Sequence, residues 1–148
     1  MTFENPSQNQ IFDILKQAKN IAVVGLSNKP DRTSYKIAEI LQQHGYRVLP
    51  VNPVLKGETV LGETVYGTLT EIPEKIDIVD VFRRSEFLPE VAAETLKTEA
   101  PVFWAQLGLE NEEAANLLLN EGRQVIMNRC IKIELAKMAD AEQTRVIL

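Results

Sequence analysis

The 148-residue chain is poor in the side chains that most often carry chemistry. It has one cysteine, Cys130, and one histidine, His44. A single cysteine excludes an internal disulfide and fits a reducing cytoplasm. Metal binding finds no cluster of ligating residues to support it. Basic excess is also missing: the formal net charge is -5. That argues against a sequence-independent nucleic-acid binder but leaves room for a local basic pocket. No apolar run approaches the roughly 18 residues of a membrane span. The opening "MTFENPSQNQIF" has no basic stretch followed by an apolar one, so no signal peptide is expected. Repeats, low-complexity tracts and linkers are absent. The length suits one domain with one core.

What is present is a regular alternation. Residues 8–18 carry Ile11, Ile14, Leu15 and Ala18 at helical spacing, with Ser7 placed to cap them. "NIAVVGL" (20–26) is continuously apolar and β-branched, as in a strand buried on both faces. A helix over 33–44 follows, with Thr33 or Ser34 as its N-cap and Gly45 as its stop. Further strands are expected at 46–53, 77–82, 101–107 and 124–128. Helices are expected at 87–99, 110–121 and 130–138. Trp104 reads as core, and His44 as the cap of its helix, remote from Cys130. The last residues, 139–148, read as a tail, a helix extension or a subunit contact. Such alternation predicts an α/β fold, a doubly wound parallel sheet of about five strands in the order 3-2-1-4-5 with helices on both faces. The stretch 54–75 breaks the pattern. It has three glycines and no helical period, and is expected to be a functional excursion of turns or short strands.

Ligands of such sheets sit beyond the carboxyl ends of the strands. Gly25 ends the first strand, and Ser27, Lys29 and Arg32 precede the helix, whose N-terminus favours an anion. The fingerprint of a dinucleotide turn is incomplete, because no glycine follows Gly25 before Gly45. The second strand ends in Asn52 and Pro53, with Lys56 beyond and no acid before Glu58. A free ribose diol would want an acid there; a phosphorylated ribose would accept the lysine. That leaves NADP and coenzyme A. Asp80 lies inside an apolar strand and is expected to be paired with loop N–H groups or an arginine. Phe82 and Arg83 follow it. The fourth strand ends in Gln106 and Gly108. The fifth ends in Asn128, Arg129 and Cys130, with Cys130 at a helix start.

Four stretches, "VVGLSNKPDRTSYKIAEILQQHGYRVLPVNP", "IDIVDVFRR", "FWAQLG" and "VIMNRCIKIE", together resemble the small stand-alone CoA-binding proteins. These are similar to the nucleotide-binding domain of the succinyl-CoA synthetase α subunit. The likeness covers roughly residues 20–138. It implies a Rossmann-like domain holding coenzyme A or an acyl-CoA. Gly25 and Ser27 would meet the diphosphate. Asn52, Pro53 and Lys56 would meet the adenosine and its 3′-phosphate. Val81, Phe82 and Arg83 would line the cleft. Gln106, Gly108, Asn128, Arg129 and Cys130 match family motifs, with ligand roles inferred from strand-end placement. The synthetase carries a phosphorylated histidine in a second domain; with no such domain and no histidine at a strand end in these 148 residues, ligase chemistry is not expected to carry over.

The expected function is therefore a non-catalytic, cytoplasmic CoA-binding or sensing module. It would act with a small-molecule ligand, no membrane and no nucleic acid, as a possible homo-oligomer or beside a protein partner. An NAD(P)-binding small reductase or redox sensor is the alternative. A third idea is a mixed disulfide between Cys130 and the CoA thiol.

Overall fold

The computed structural model describes residues 3–147. Helix α1 (Gln8–Gln17) opens on a capping box: Gln10 N donates to Ser7 Oγ at 3.2 Å, and Ser7 N to Gln10 Oε1 at 2.9 Å. There follow β1 (Asn20–Val24), α2 (Thr33–Gln43) and β2 (Arg47–Val51). Next come the two-residue strands β3 (Thr59–Val60) and β4 (Glu63–Thr64). The remainder is β5 (Ile78–Val81), α3 (Leu88–Thr95), β6 (Val102–Ala105), α4 (Glu112–Asn120), β7 (Gln124–Ile126) and α5 (Ile131–Ile147). Every expected helix and long strand forms, each shorter than the apolar pattern except α5. That helix runs on through residues read as an uncertain tail.

Five parallel strands make the main sheet, in the order β2-β1-β5-β6-β7. Helices α1, α2 and α5 pack on one face through residues such as Leu15, Leu41 and Leu135. Helices α3 and α4 cover the other through Val91, Ala115 and Leu118. The doubly wound class is as expected. Counted along the chain, however, the five strands run 2-1-3-4-5. The third, β5, pairs with β1, with Asp80 opposite Val23, whereas the order 3-2-1-4-5 would set it outside β2. Both orders satisfy right-handed crossovers. The excursion after β2 decides between them. Val60 and Val65 pack on the α2 side, while Leu69, Ile72 and Ile76 pack on the α3 side. The chain thus rounds the β2 edge, where Val51 bridges Tyr66, and returns beneath the sheet to the far side of β1.

The switch point of the winding lies between β1 and β5, and the two strands meet there closely. Two-sided burial is strict at the centre: Phe103 points into one layer and Trp104 into the other, both fully buried. The indole Nε1 of Trp104 donates to Arg129 O at 2.8 Å, tying the end of β7 to the core. At that outer edge Asn5 continues the hydrogen bonding, taking Met127 N at 2.8 Å and giving to Met127 O at 2.9 Å. Among the described residues no helix is long and apolar enough to cross a membrane.

Candidate functional site

The first turn after β1 is built by the backbone and two serines. Gly25 has φ +88°, and a Cβ there would lie 2.4 Å from Phe82 O. Its glycine is therefore demanded by the close approach of β5 as well as by the turn. Gly25 N donates to Val51 O at 2.8 Å. Ser27 Oγ accepts from Lys29 N at 3.0 Å, closing a local turn. Ser34 Oγ accepts from Ser27 N at 3.0 Å.

That last bond corrects the expected cap. The N-cap of α2 is Arg32, and it has no side-chain capping bond; Thr33 is the first helical residue. Ser34, buried in the first turn, is engaged by the loop instead. The first intrahelical bond runs from Lys36 N to Arg32 O at 3.1 Å. The N–H groups of Thr33, Ser34 and Tyr35 precede it, at the positive end of the helix. Lys29 and Arg32 are exposed around them.

The ends of β2 and of the excursion form the outer side of the site. Asn52 uses its whole amide internally: Oδ1 accepts from Val54 N at 3.0 Å, and Nδ2 donates to Leu26 O at 3.1 Å. It positions the β1 turn. Pro53 begins an exposed 3-10 turn. Lys56 is not free. Its Nζ lies 2.8 Å from Glu71 Oε2, and Glu71 also receives Gly67 N at 2.8 Å. The lysine and that N–H hold the Glu71 carboxyl below the usual carboxylate range. Asn28 Nδ2 donates to Glu58 at 3.3 Å, linking the turn to the excursion.

On the inner side, the ends of β5, β6 and β7 meet α2 and α5 around a cleft of 440 Å³. Its walls include Thr33, Ile37, Phe82, Gln106, Leu109, Cys130 and Ile133, with Arg83, Arg84 and Leu107 at its margins. Arg83 and Arg84 both stack on the Phe87 ring, at 4.5 and 5.3 Å from its centre, and Arg83 lies 3.9 Å from Glu90. Gln106 is 4% exposed; its Oε1 accepts from Ile131 N at 3.2 Å, which fixes the amide. Asn128, in the left-handed region at φ +58°, accepts from Gly108 N at 2.7 Å and so joins two strand-end loops. Arg129 Nη1 donates to its neighbour, Asn128 O, at 2.9 Å. A second cleft of equal volume, among Leu69, Pro73 and Lys97, lies away from these strand ends.

Asp80 contradicts its expectation. It is wholly buried, and neither carboxylate oxygen has a hydrogen-bond partner. Neither a loop N–H nor an arginine reaches it. Burial pushes its pKa well above the ordinary carboxyl range. In register with Val23 and Trp104, it lies one side-chain step beneath Phe82 and Gln106 on the same face of the sheet.

Of the residues expected at the site, Gly25, Ser27, Lys29 and Arg32 share the β1 turn, and Phe82, Arg83, Gln106 and Cys130 share the cleft. Val81 is buried beneath its strand end, facing α3. Asn52, Gly108 and Asn128 brace loops, and Lys56 is paired outward. Missed were Thr33, Ile37, Leu109 and Ile133 as cleft walls. Ile133 had a signal: it is apolar but falls off the buried stripe of α5 set by Ile131 and Leu135.

Comparison with known proteins meets this geometry. The pattern described as the CoA binding domain matches residues 19–136. The chain belongs to that CoA-binding domain family. It is 54% identical over 130 residues to the uncharacterized protein YneT of Bacillus subtilis (strain 168), covering 88% of this chain and 95% of that one. It is 28% identical over 124 residues to the α subunit of acetate–CoA ligase [ADP-forming] I of Pyrococcus furiosus. That match covers 76% of this chain but only 27% of the subunit. Among solved structures, cell-free ID.343 from Thermus thermophilus superposes with a TM-score of 0.86 at 34% identity, over 90% of this chain and 99% of that one. Family membership places the CoA-binding likeness over the whole sheet, from the residue before β1 into α5.

Proposed function

We propose that this chain binds coenzyme A across the carboxyl ends of its strands, as a non-catalytic cytoplasmic module that holds the nucleotide or presents it to a partner. One observation carries this reading. The uncapped first turn of α2 stands beside the Gly25 turn at the switch point, with Lys29 and Arg32 around it. Three N–H groups and the helix dipole there are suited to a diphosphate. Ser27, whose Oγ accepts from Lys29 N, keeps its own proton to donate. The adenosine would lie over Asn52 and Pro53. Lys56 would reach a ribose 3′-phosphate by exchanging Glu71 for it, a cheap exchange because the pair is solvent-exposed. Arg83 would supply charge at the cleft mouth, with Arg129 beside the β7 end.

No nucleophile–base pair accompanies this site. His44 caps the far end of α2, its Nδ1 3.0 Å from Ile40 O, at the opposite edge of the sheet from Cys130. Titration calorimetry with coenzyme A, its 3′-dephospho form and NADP tests the reading. Coenzyme A should bind tightest and the dephospho form more weakly. Tighter NADP binding would overturn the proposal and restore the reductase alternative, which the family match leaves without support.

The position of Cys130 in the cleft wall favours a second step. Its thiolate would attack a disulfide of coenzyme A; a sulfur–sulfur bond to CoA forms and the other thiolate leaves. Intact mass after incubation with CoA disulfide reads this directly. The wild type should gain a reductant-labile adduct and Cys130→Ser none; an unmodified wild type disposes of the step.

A further inference from the structure

The cleft has a chemistry that the nucleotide does not use. Its walls are apolar apart from the threonine, the cysteine, one amide and the arginines at the mouth. The pantetheine arm of coenzyme A carries two amide groups. Laying both on such a surface would leave polar groups without partners, which is costly. A hydrocarbon chain has no such penalty. Leu107 and Ile133, 63% and 46% exposed, are also large apolar side chains left open to solvent beside the same cleft.

We infer that this cleft is an acyl site: the ligand is an acyl thioester of coenzyme A. Its hydrocarbon lies on Ile37, Phe82, Leu109 and Ile133, and its carbonyl accepts from Gln106 Nε2. The inference rests on the CoA reading and names which form of the cofactor the site selects. Gln106 is the specific element. Its Oε1 is held by Ile131 N, so the amide cannot turn, and none of the described hydrogen bonds runs from its Nε2. One fixed amide donor in the wall of an apolar cleft matches one thioester carbonyl. The cleft is also continuous with the proposed phosphate end. Thr33 and Ile37 lie one turn apart on α2, about 6 Å along its axis, so the first turn that would hold the diphosphate leads into the apolar wall.

The test is calorimetry on the full chain with coenzyme A and its acetyl, butyryl and hexanoyl thioesters. Affinity should rise along the series by roughly fourfold for each buried methylene until the cleft is filled. Ile133→Glu changes a half-exposed side chain on α5, so folding, read by circular dichroism, is retained. In that variant the hexanoyl-to-acetyl ratio should collapse towards one. Gln106→Leu should weaken the acetyl thioester more than coenzyme A itself. If coenzyme A binds but the series is flat, the acyl site is overturned while the CoA reading stands. If neither coenzyme A nor any thioester binds, the CoA reading fails and takes the acyl site with it. A flat series together with Ile133→Glu shifting sedimentation from dimer to monomer would make this face an interface between copies, also overturning the inference.

Discussion

At Gly25 a Cβ would stand 2.4 Å from the Phe82 carbonyl oxygen, and φ is +88°. Backbone, not a flexible side chain, blocks the space, so neither neighbour can yield cheaply. Gly25→Ala therefore combines left-handed strain with overpacking at the sheet centre. It should cost about 3 kcal/mol in urea unfolding; a loss below about 1 kcal/mol would show that β1 and β5 can part. Asp80 has the opposite problem, a polar group where none is satisfied. Unfolded, its carboxyl titrates near 3.9. Folded, burial raises that value. Between the two, the native protein keeps a proton that the unfolded chain has released, so stability falls as pH rises. The slope reaches at most about 1.4 kcal/mol per pH unit. Asp80→Asn removes the titration and keeps the shape. Its stability relative to wild type should grow from pH 4 to pH 7, with the variant ahead at pH 7. A difference that does not change with pH would mean that the carboxyl finds a partner on opening. The sequence showed that Asp80 was out of place in its strand. It did not show that nothing answers it, because partners come from three-dimensional neighbours.

Helix α2 offers its first turn without a side-chain cap, and proline isolates that property. Thr33 is the first helical residue, where proline is well accepted, and Arg32 before it is already extended at φ -80°, ψ 145°. Thr33→Pro deletes one free N–H and leaves the helix intact. Stability should stay within about 1 kcal/mol of wild type, while coenzyme A affinity falls severalfold. Unchanged affinity would remove the first turn from the site. The helix itself was legible from the 3.6-residue spacing of its apolar side chains. Its cap was not, because Thr33 and Ser34 are both good cap formers and tertiary contact decided between roles. The Ser27 N–H draws Ser34 away. The excursion between β2 and β5 was legible as an exception, from its glycines and lost period. Its consequence for Lys56 was not, since Glu71 meets that lysine only after the chain doubles back. The pair also forecasts a measurable exchange: Glu71→Gln should free Lys56 and tighten the binding of coenzyme A without changing that of its 3′-dephospho form. An equal change for both ligands would take Lys56 away from the 3′-phosphate.

For the molecule as a whole, local pattern determined that the strands are parallel and doubly buried, and therefore where their carboxyl ends gather. It could not rank 3-2-1-4-5 against the observed order, since both obey the same handedness and differ in whether β5 sits outside β2 or between β1 and β6. The site survived that difference because either order brings Gly25 and the later strand ends to one edge. The acyl cleft did not announce itself in the chain, because its walls come from α2, α5 and three strand ends and share no period. A ligand spanning these elements adds contacts to α2, α5 and the strand ends at once, so binding should register in global unfolding. Coenzyme A at a hundredfold excess over its dissociation constant would add about 2.7 kcal/mol. For a chain of this size that corresponds to a rise of about 5–10 °C in the melting temperature. Hexanoyl-CoA at the same concentration should raise it further, since its hydrocarbon also contacts α2 and α5 in the cleft. Thr33→Pro should shrink both shifts, and Ile133→Glu only the increment between them. If Ile133→Glu shrank the coenzyme A shift as much as that increment, phosphate turn and cleft would be one indivisible site rather than two subsites meeting on the face of α2.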